Sequence, residues 1–305
     1  MALLQRRFGP NIAGFNGLLQ PIVDGVKAIT KEQVVPNNSN KFLFFLSPIF
    51  AFSITMGYLA IIPFGTNLVI SNINLGLLYI FGLSSLSLYP IVLSGWSSHS
   101  IYPLLGSIRT IAQMLSYEIS FGLILMPIVL FSGTFNLIEI VNAQHEVYFC
   151  FLCPLPLLFF ITILAETHRA PFDLPEAEAE LVAGYNVEYS GIAFSLFFLA
   201  EYGNMIIYSI LSVLLFFGGW QPIFCFLNIP DIFWLSFKSF FIYSLFIIVR
   251  AVLPRYRFDQ VLVLGWKIFL PLSLSFLIFF IWYAKVFNVF LTNNYNPDIL
   301  QLILI

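Results

Sequence analysis

The chain has 305 residues, 60% of them apolar and only 9% charged, with a mean hydropathy of +0.93; soluble domains carry about 45–50% apolar and about 25% charged residues. Fifteen acidic and 13 basic side chains, net charge −2, cannot cover a water-facing surface of this size and provide no basic field for nucleic acid. Three cysteines and three histidines (His99, His145, His168) exclude a disulfide framework, a four-thiolate cluster and a paired-ligand haem bundle, and no metal site is expected. The composition is that of an integral membrane protein, and because lipid tolerates no open sheet, the fold class is all-α.

The first 41 residues precede any crossing, and Met1–Arg7 shows no cleavable signal. Ile12, Phe15, Leu18, Leu19, Ile22, Val23, Val26 and Ile29 form a helical stripe opposed by Gln20, Asp24, Lys27 and Lys31. This pattern predicts an amphipathic helix lying in the membrane interface, kinked at Pro21. Seven apolar stretches follow, at 42–64, 73–96, 110–133, 148–165, 191–219, 233–253 and 266–288, each near the ~20 residues a hydrocarbon core requires. They predict seven transmembrane helices in a single membrane domain over 1–305, with no internal repeat. Alternating crossings put Arg6, Arg7, Lys27, Lys31, Lys41, Arg109, Arg169, Arg250, Arg255, Arg257 and Lys267 on one side, and only Lys238 and Lys285 on the other. Eleven against two orients the N-terminal segment and the 166–190 loop toward the matrix or cytoplasm.

That loop is acidic. Residues 166–188 hold Glu166, Asp173, Glu176, Glu178, Glu180 and Glu188, opposed only by Arg169. Asp173, Pro175 and Glu176 have the grammar of a capped short helix, which would set Glu176 and Glu180 on one face as a repulsive pair. Carboxylates crowded out of water raise one another's pKa and can pass protons at working pH, although a solvated loop can also carry such a run. Glu118 and Glu201 lie inside spans, where a charge is costly and usually faces a bundle interior or a proton path. Cys150 and Cys153 read as buried small apolar residues rather than a redox pair. The basic loop 254–260 suits either membrane anchoring or docking to a partner.

Residues 165–189, AETHRAPFDLPEAEAELVAGYNVEY, together with QRRFGPN at 5–11, GLLQP at 17–21, Ser116-Tyr117-Glu118, Ala200-Glu201-Tyr202 and PRYRFDQ at 254–260, resemble the chain 1 family of NADH:ubiquinone oxidoreductase, the membrane subunit that joins the two arms of respiratory complex I. The resemblance runs from residue 5 to about 275. It implies a core subunit of a proton-pumping enzyme in the mitochondrial inner membrane, without activity alone, with the acidic loop on the matrix side. Ubiquinone would be the substrate, and NADH, flavin and iron–sulfur clusters would belong to partner subunits of the peripheral and membrane arms. By the family's pattern Arg7, Asp24, Glu166, Arg169, Phe172, Asp173 and Phe198 would shape the quinone tunnel. Glu118, Glu176, Glu178, Glu180, Glu188 and Glu201 would form the acidic proton path, and Arg250 and Arg255 would support the cavity or its partner interface.

Two features depart from that family. It usually carries one more span before the QRR motif, so seven spans stand where eight are expected. The missing helix would come from a separate polypeptide or an upstream start, or be lost. His168 stands where Asn is usual, and an imidazole beside Glu166 and Asp173 would titrate near neutral pH, unless it is a plain substitution. Other readings of the pattern are the matching subunit of a membrane-bound hydrogenase or plastid dehydrogenase, an independent proton-coupled transporter, and a structural anchor. The transporter predicts repeats, and the anchor leaves Glu118 and Glu201 unexplained.

Overall fold

The computed structural model describes residues 2, 5–66, 68–144, 152–173, 184–222 and 230–286. Among them there is no strand. The helices are α1 (Gln20–Thr30), α2 (Lys41–Leu59), α3 (Gly76–Leu86), α4 (Leu88–Ser97), α5 (Ile101–Ser132), α6 (Leu137–Ala143), α7 (Leu155–Glu166), α8 (Gly191–Phe216), α9 (Asp231–Val252), α10 (Phe258–Val263) and α11 (Leu270–Val286). A π-helical segment, Leu264–Phe269, joins the last two into one rod. Short 3₁₀ turns lie at Phe15–Gly17 and Gly184–Asn186.

Six of these rods are long and apolar enough to cross a membrane, α3–α4 and α10–α11 each counting once; α7, at 12 residues, is shorter. The break between α3 and α4 falls at Ser87 because Pro90 has no N–H for the carbonyl of Leu86. The 32-residue α5 begins at Ile101, nine residues ahead of the start at 110 that hydropathy suggests, so Arg109 lies within the helix. Pro21 occupies the first turn of α1 and starts that helix instead of kinking it, since the missing N–H is needed by no carbonyl there. Along α1 the apolar stripe Ile22, Val23, Val26 and Ile29 is exposed. Cys153 is exposed, not buried as expected; it precedes Pro154, the N-cap of α7, outside the packed helix. Cys150 lies outside the described residues.

The bundle has an inner and an outer tier. The most apolar windows of α5 and α8 are 61% buried and those of α9 and α10–α11 only 22%, so the first pair forms the core and the second faces lipid or partners. Tyr117, Phe121, Ile124 and Ile128 of α5 pack with Phe159 and Ile163 of α7 and with Tyr208, Leu211 and Leu215 of α8. A fully buried Leu- or Phe-sized side chain contributes about 1.5–3 kcal/mol in a water-exposed reference frame. In lipid the weight shifts to close packing and polar ties between helices.

Those ties collect at the two ends of the bundle. At one end Val34 N–H donates to Ser190 Oγ (2.9 Å), Asn40 N–H to the Ser97 carbonyl (3.1 Å) and Tyr256 N–H to the Pro171 carbonyl (3.0 Å). At the other, Asn136 Nδ2 donates to Asn72 Oδ1 (2.8 Å), and Gln144 Nε2 donates to the carbonyls of Leu214 (2.8 Å) and Leu215 (3.1 Å). Lys238 Nζ there holds the carbonyls of Phe217, Gly219 and Gln221 at 2.8, 3.0 and 2.8 Å. These are orphan acceptors past the end of α8, where its dipole is negative. Gln144 is tied at the second end and Pro171 at the first, so the chain changes ends between them, and α7 is the helix described on that stretch.

Candidate functional site

The site is built where α7 ends. Its last residue, Glu166, is buried, and the chain turns away through His168, whose φ of +50° is a left-handed conformation that Asn, Asp and His adopt more readily than other side chains. Gln113 of α5 holds this turn from within. Its Nε2 donates to the carbonyls of Ala165 (2.8 Å) and Phe172 (2.9 Å). Phe172 packs its ring against Tyr117 (5.4 Å) and Tyr256 (5.7 Å), and Tyr117 Oη donates to the Val261 carbonyl (3.1 Å). Buried Asp173 pairs with Arg255, 3.1 Å away and half exposed.

The far root of the acidic loop returns to the same place. Gly106 of α5 lies so close to the 184–186 turn that a Cβ on it would meet Gly184 Cα at 2.7 Å. That approach seats Tyr185, whose hydroxyl donates to Glu201 Oε1 (2.8 Å) while its ring packs edge-on against Phe197 (5.4 Å). Tyr189 follows, stacked on Phe44 (4.1 Å) and bonded to Ser47 (2.8 Å) and Ser97 (3.4 Å); burial pushes its phenol pKa up.

Between these two roots lies a cavity of about 50 Å³ lined by Glu166, Thr167, His168, Tyr185, Glu201 and Asn204, closed on its apolar side by Ala51 and Ile54 of α2, Met114 of α5 and Phe197 of α8. Arg169 borders it. Its Nη2 is 3.5 Å from Glu201 Oε2, its Nε contacts Met205 Sδ (3.2 Å), and its guanidinium lies 4.5 Å over the Tyr202 ring. Glu166 Oε2, both ring nitrogens of His168 and Asn204 Oδ1 are buried without a hydrogen-bond partner. An unsatisfied buried polar atom costs about 1–3 kcal/mol. His168 does not titrate near neutral pH: burial, reinforced by the Arg169 charge, pushes its pKa down to about 4, so the imidazole is neutral.

The other expected residues divide. Glu118, one turn past Met114 on α5, is outside the cavity lining, and it takes a hydrogen bond from Ser85. Glu188 is half-buried just after the 184–186 turn, and Arg250 is half-buried in the last turn of α9. Phe198 is half-buried and packs on Phe194 (4.5 Å) while its neighbour Phe197 lines the cavity. Arg7 and Asp24 are exposed on the N-terminal segment, bonded to Gln5 (2.9 Å) and Gln20 (3.0 Å), and do not join the cavity. Glu176, Glu178 and Glu180 lie outside the described residues, as does the short helix expected after Asp173. Among the described residues no group of His, Cys, Asp and Glu is arranged to hold a metal ion.

A charge-led reading of the sequence passes over Gln113, Tyr185, Asn204 and Ser85. Gln113 and Asn204 carried a usable signal, as side-chain amides inside apolar spans, and Asn204 stands three residues past Glu201 on the same helical face.

The family model for NADH dehydrogenase matches residues 1–281. NADH-ubiquinone oxidoreductase chain 1 of Arabidopsis thaliana is 53% identical over 279 residues, covering 90% of this chain and 86% of that protein. The Chondrus crispus protein of the same name is 50% identical over 304 residues, covering 97% and 90%. An NADH-quinone oxidoreductase subunit of Rickettsia bellii is 48% identical over 308 residues, covering 98% and 88%. A match over nearly the whole length, on a bundle with acids enclosed at its core, means that the chain belongs to the NADH dehydrogenase family of membrane subunits of NADH–quinone oxidoreductases.

Proposed function

We propose that this chain shapes the quinone-reaction chamber of a proton-pumping NADH:ubiquinone oxidoreductase, in the mitochondrial inner membrane, and begins the proton path leading away from it. Peripheral-arm subunits would close the chamber and bring the electrons; other membrane-arm subunits would continue the path. The observation that carries this reading is that Glu166 and Glu201 line one cavity of an otherwise apolar bundle, with Arg169 at its edge. Carboxylates are kept inside a membrane at a cost of about 2.5–3.5 kcal/mol each on insertion scales, and enclosed acids with cationic and phenolic neighbours suit proton handling. Phe172, Asp173 and Arg255 support the chamber reading, because they brace the turn after α7 from the same end. Arg7 and Asp24 would enter the chamber only through contact with a partner. Glu176, Glu178, Glu180 and Glu188 would extend the acidic path along the loop, and Glu118 would pass it toward α3.

Glu201→Gln in the assembled enzyme tests the proposal. Glutamine retains the size and an acceptor for Tyr185 but carries no exchangeable acid proton. Quinone-linked proton translocation should fall at least about tenfold while the amount of assembled complex is unchanged. Wild-type pumping in that variant would overturn the reading.

A further inference from the structure

Resting on that reading, we propose that His168 is a positioning residue: its ring holds the water that bridges Glu166 to Glu201, and so makes one continuous proton path of two acids that stand on different helices. Four buried polar atoms without partners, Glu166 Oε2, His168 Nδ1 and Nε2, and Asn204 Oδ1, belong to residues lining one cavity. Orphaned polar atoms scattered through a bundle would be a packing cost; on residues that share one cavity, opposite its apolar wall of Ala51, Ile54, Met114 and Phe197, they call for a small ligand that can both donate and accept. The volume of about 50 Å³ admits roughly three water molecules. Water matches both atom types: it donates to Glu166 and Asn204, and meets a neutral imidazole both as donor and as acceptor.

His168 is suited to this by placement as well as chemistry. It comes two residues after Glu166 and directly before Arg169, the partner of Glu201. Its left-handed backbone departs from the course of α7, and the hydrogen bonds of His168 N–H to the Ala165 carbonyl (3.4 Å) and of Arg169 N–H to the Leu164 carbonyl (3.1 Å) hold that geometry. The titratable groups that share its cavity are Glu166 from α7, Glu201 from α8 and the Tyr185 phenol, with Arg169 next to it in its own turn. Burial and Arg169 keep the ring neutral, so it does not compete with the two acids for the proton. An imidazolium would offer only donors and would leave the bridging water without an acceptor on that side.

The test uses the assembled enzyme in three forms: wild type, His168→Asn and His168→Leu. Asn retains a donor and an acceptor and tolerates the left-handed backbone, whereas Leu is of similar bulk without either. A density map of the wild-type complex should contain water within hydrogen-bond distance of both ring nitrogens. The Leu variant should lose proton translocation at least about tenfold per assembled complex, and Asn should retain most of it. A cavity occupied by a side chain or by quinone, or a Leu variant that pumps like wild type, overturns the proposal. Glu201→Gln run in parallel separates the cases. If it pumps normally, the acidic-path reading has failed; if it is inactive while His168→Leu is active, only the role of His168 has failed.

Discussion

At the scale of single residues, an expectation about His168 reverses. Next to Glu166 and Asp173 in sequence, an imidazole reads as a group titrating near neutrality. In the fold it is enclosed, with the Arg169 cation beside it and neither ring nitrogen bonded to an acid; burial and that cation both disfavour the charged form. The consequence for stability has a definite sign. Below about pH 6.5 the unfolded chain protonates this histidine, whereas the folded one resists until about pH 4. Folding therefore loses stability as pH falls through that window, by up to about 1.4 kcal/mol per pH unit. Thermal melts of the solubilised complex between pH 7 and pH 4 should show a shallower acid loss for His168→Asn than for wild type; equal slopes would contradict the assignment. Glu166, Arg169 and Glu201 were visible in the sequence because charge is rare in an apolar chain. Tyr185 was not, because its importance lies in one carboxylate that the fold brings to it, and Gln113 was legible only as an amide in an apolar span, not by the two backbone carbonyls it holds.

At the scale of elements, hydropathy located the apolar rods but not their ends. It could not register that α5 extends to Ile101, because Ser107, Arg109 and Thr110 dilute a window that is nonetheless helical. Nor did it foresee the α3–α4 break, which depends on one missing N–H. Element ends are set by capping, and α8 illustrates this most fully: its C-terminal carbonyls, with those of the following turn, are taken up by Gln144 and by the ammonium of Lys238. Lys238→Met keeps the aliphatic stem and removes the cation. It should destabilise the bundle by about 1–3 kcal/mol, read as a lowered melting temperature of the assembled complex with little change in rate per complex at low temperature. An unchanged melting temperature would mean that the three carbonyls find other donors.

At the scale of the whole molecule, the end-to-end alternation inferred from Lys and Arg matches the pattern of polar ties. Ties at one end join 34 to 190, 40 to 97 and 171 to 256; ties at the other join 72 to 136 and 144 to 214–215. No tie in either set joins segments that the charge count assigns to opposite sides. A cysteine introduced at exposed Arg257 in a background with Cys150, Cys153 and Cys225 changed to Ser should therefore react with a membrane-impermeant thiol reagent only from one side of the membrane, and one at exposed Thr66 only from the other. Labelling of both from one side would invert the topology. The overall class was legible from composition alone, since so little charge admits no other solvent. The cavity was not, because it arises from tertiary approach: Gly106 against Gly184, and two loop roots meeting on α8.

The depth of that cavity has an electrical consequence. Ala51 and Ile54, which close it on one side, are the eleventh and fourteenth of the 19 residues of α2, a helix about 28 Å long and so close to the thickness of the hydrocarbon layer. The cavity accordingly lies level with the middle of α2, not past its ends. In a bilayer that α2 just spans, a proton reaching the two acids crosses roughly half the transmembrane voltage, about 1.2 kcal/mol for every 100 mV, uphill from the negative phase and downhill from the positive one. The occupancy of Glu166 and Glu201 is thus coupled to the membrane's charge as a capacitor, and an energised membrane exerts a back-pressure on the site that its local chemistry alone does not reveal.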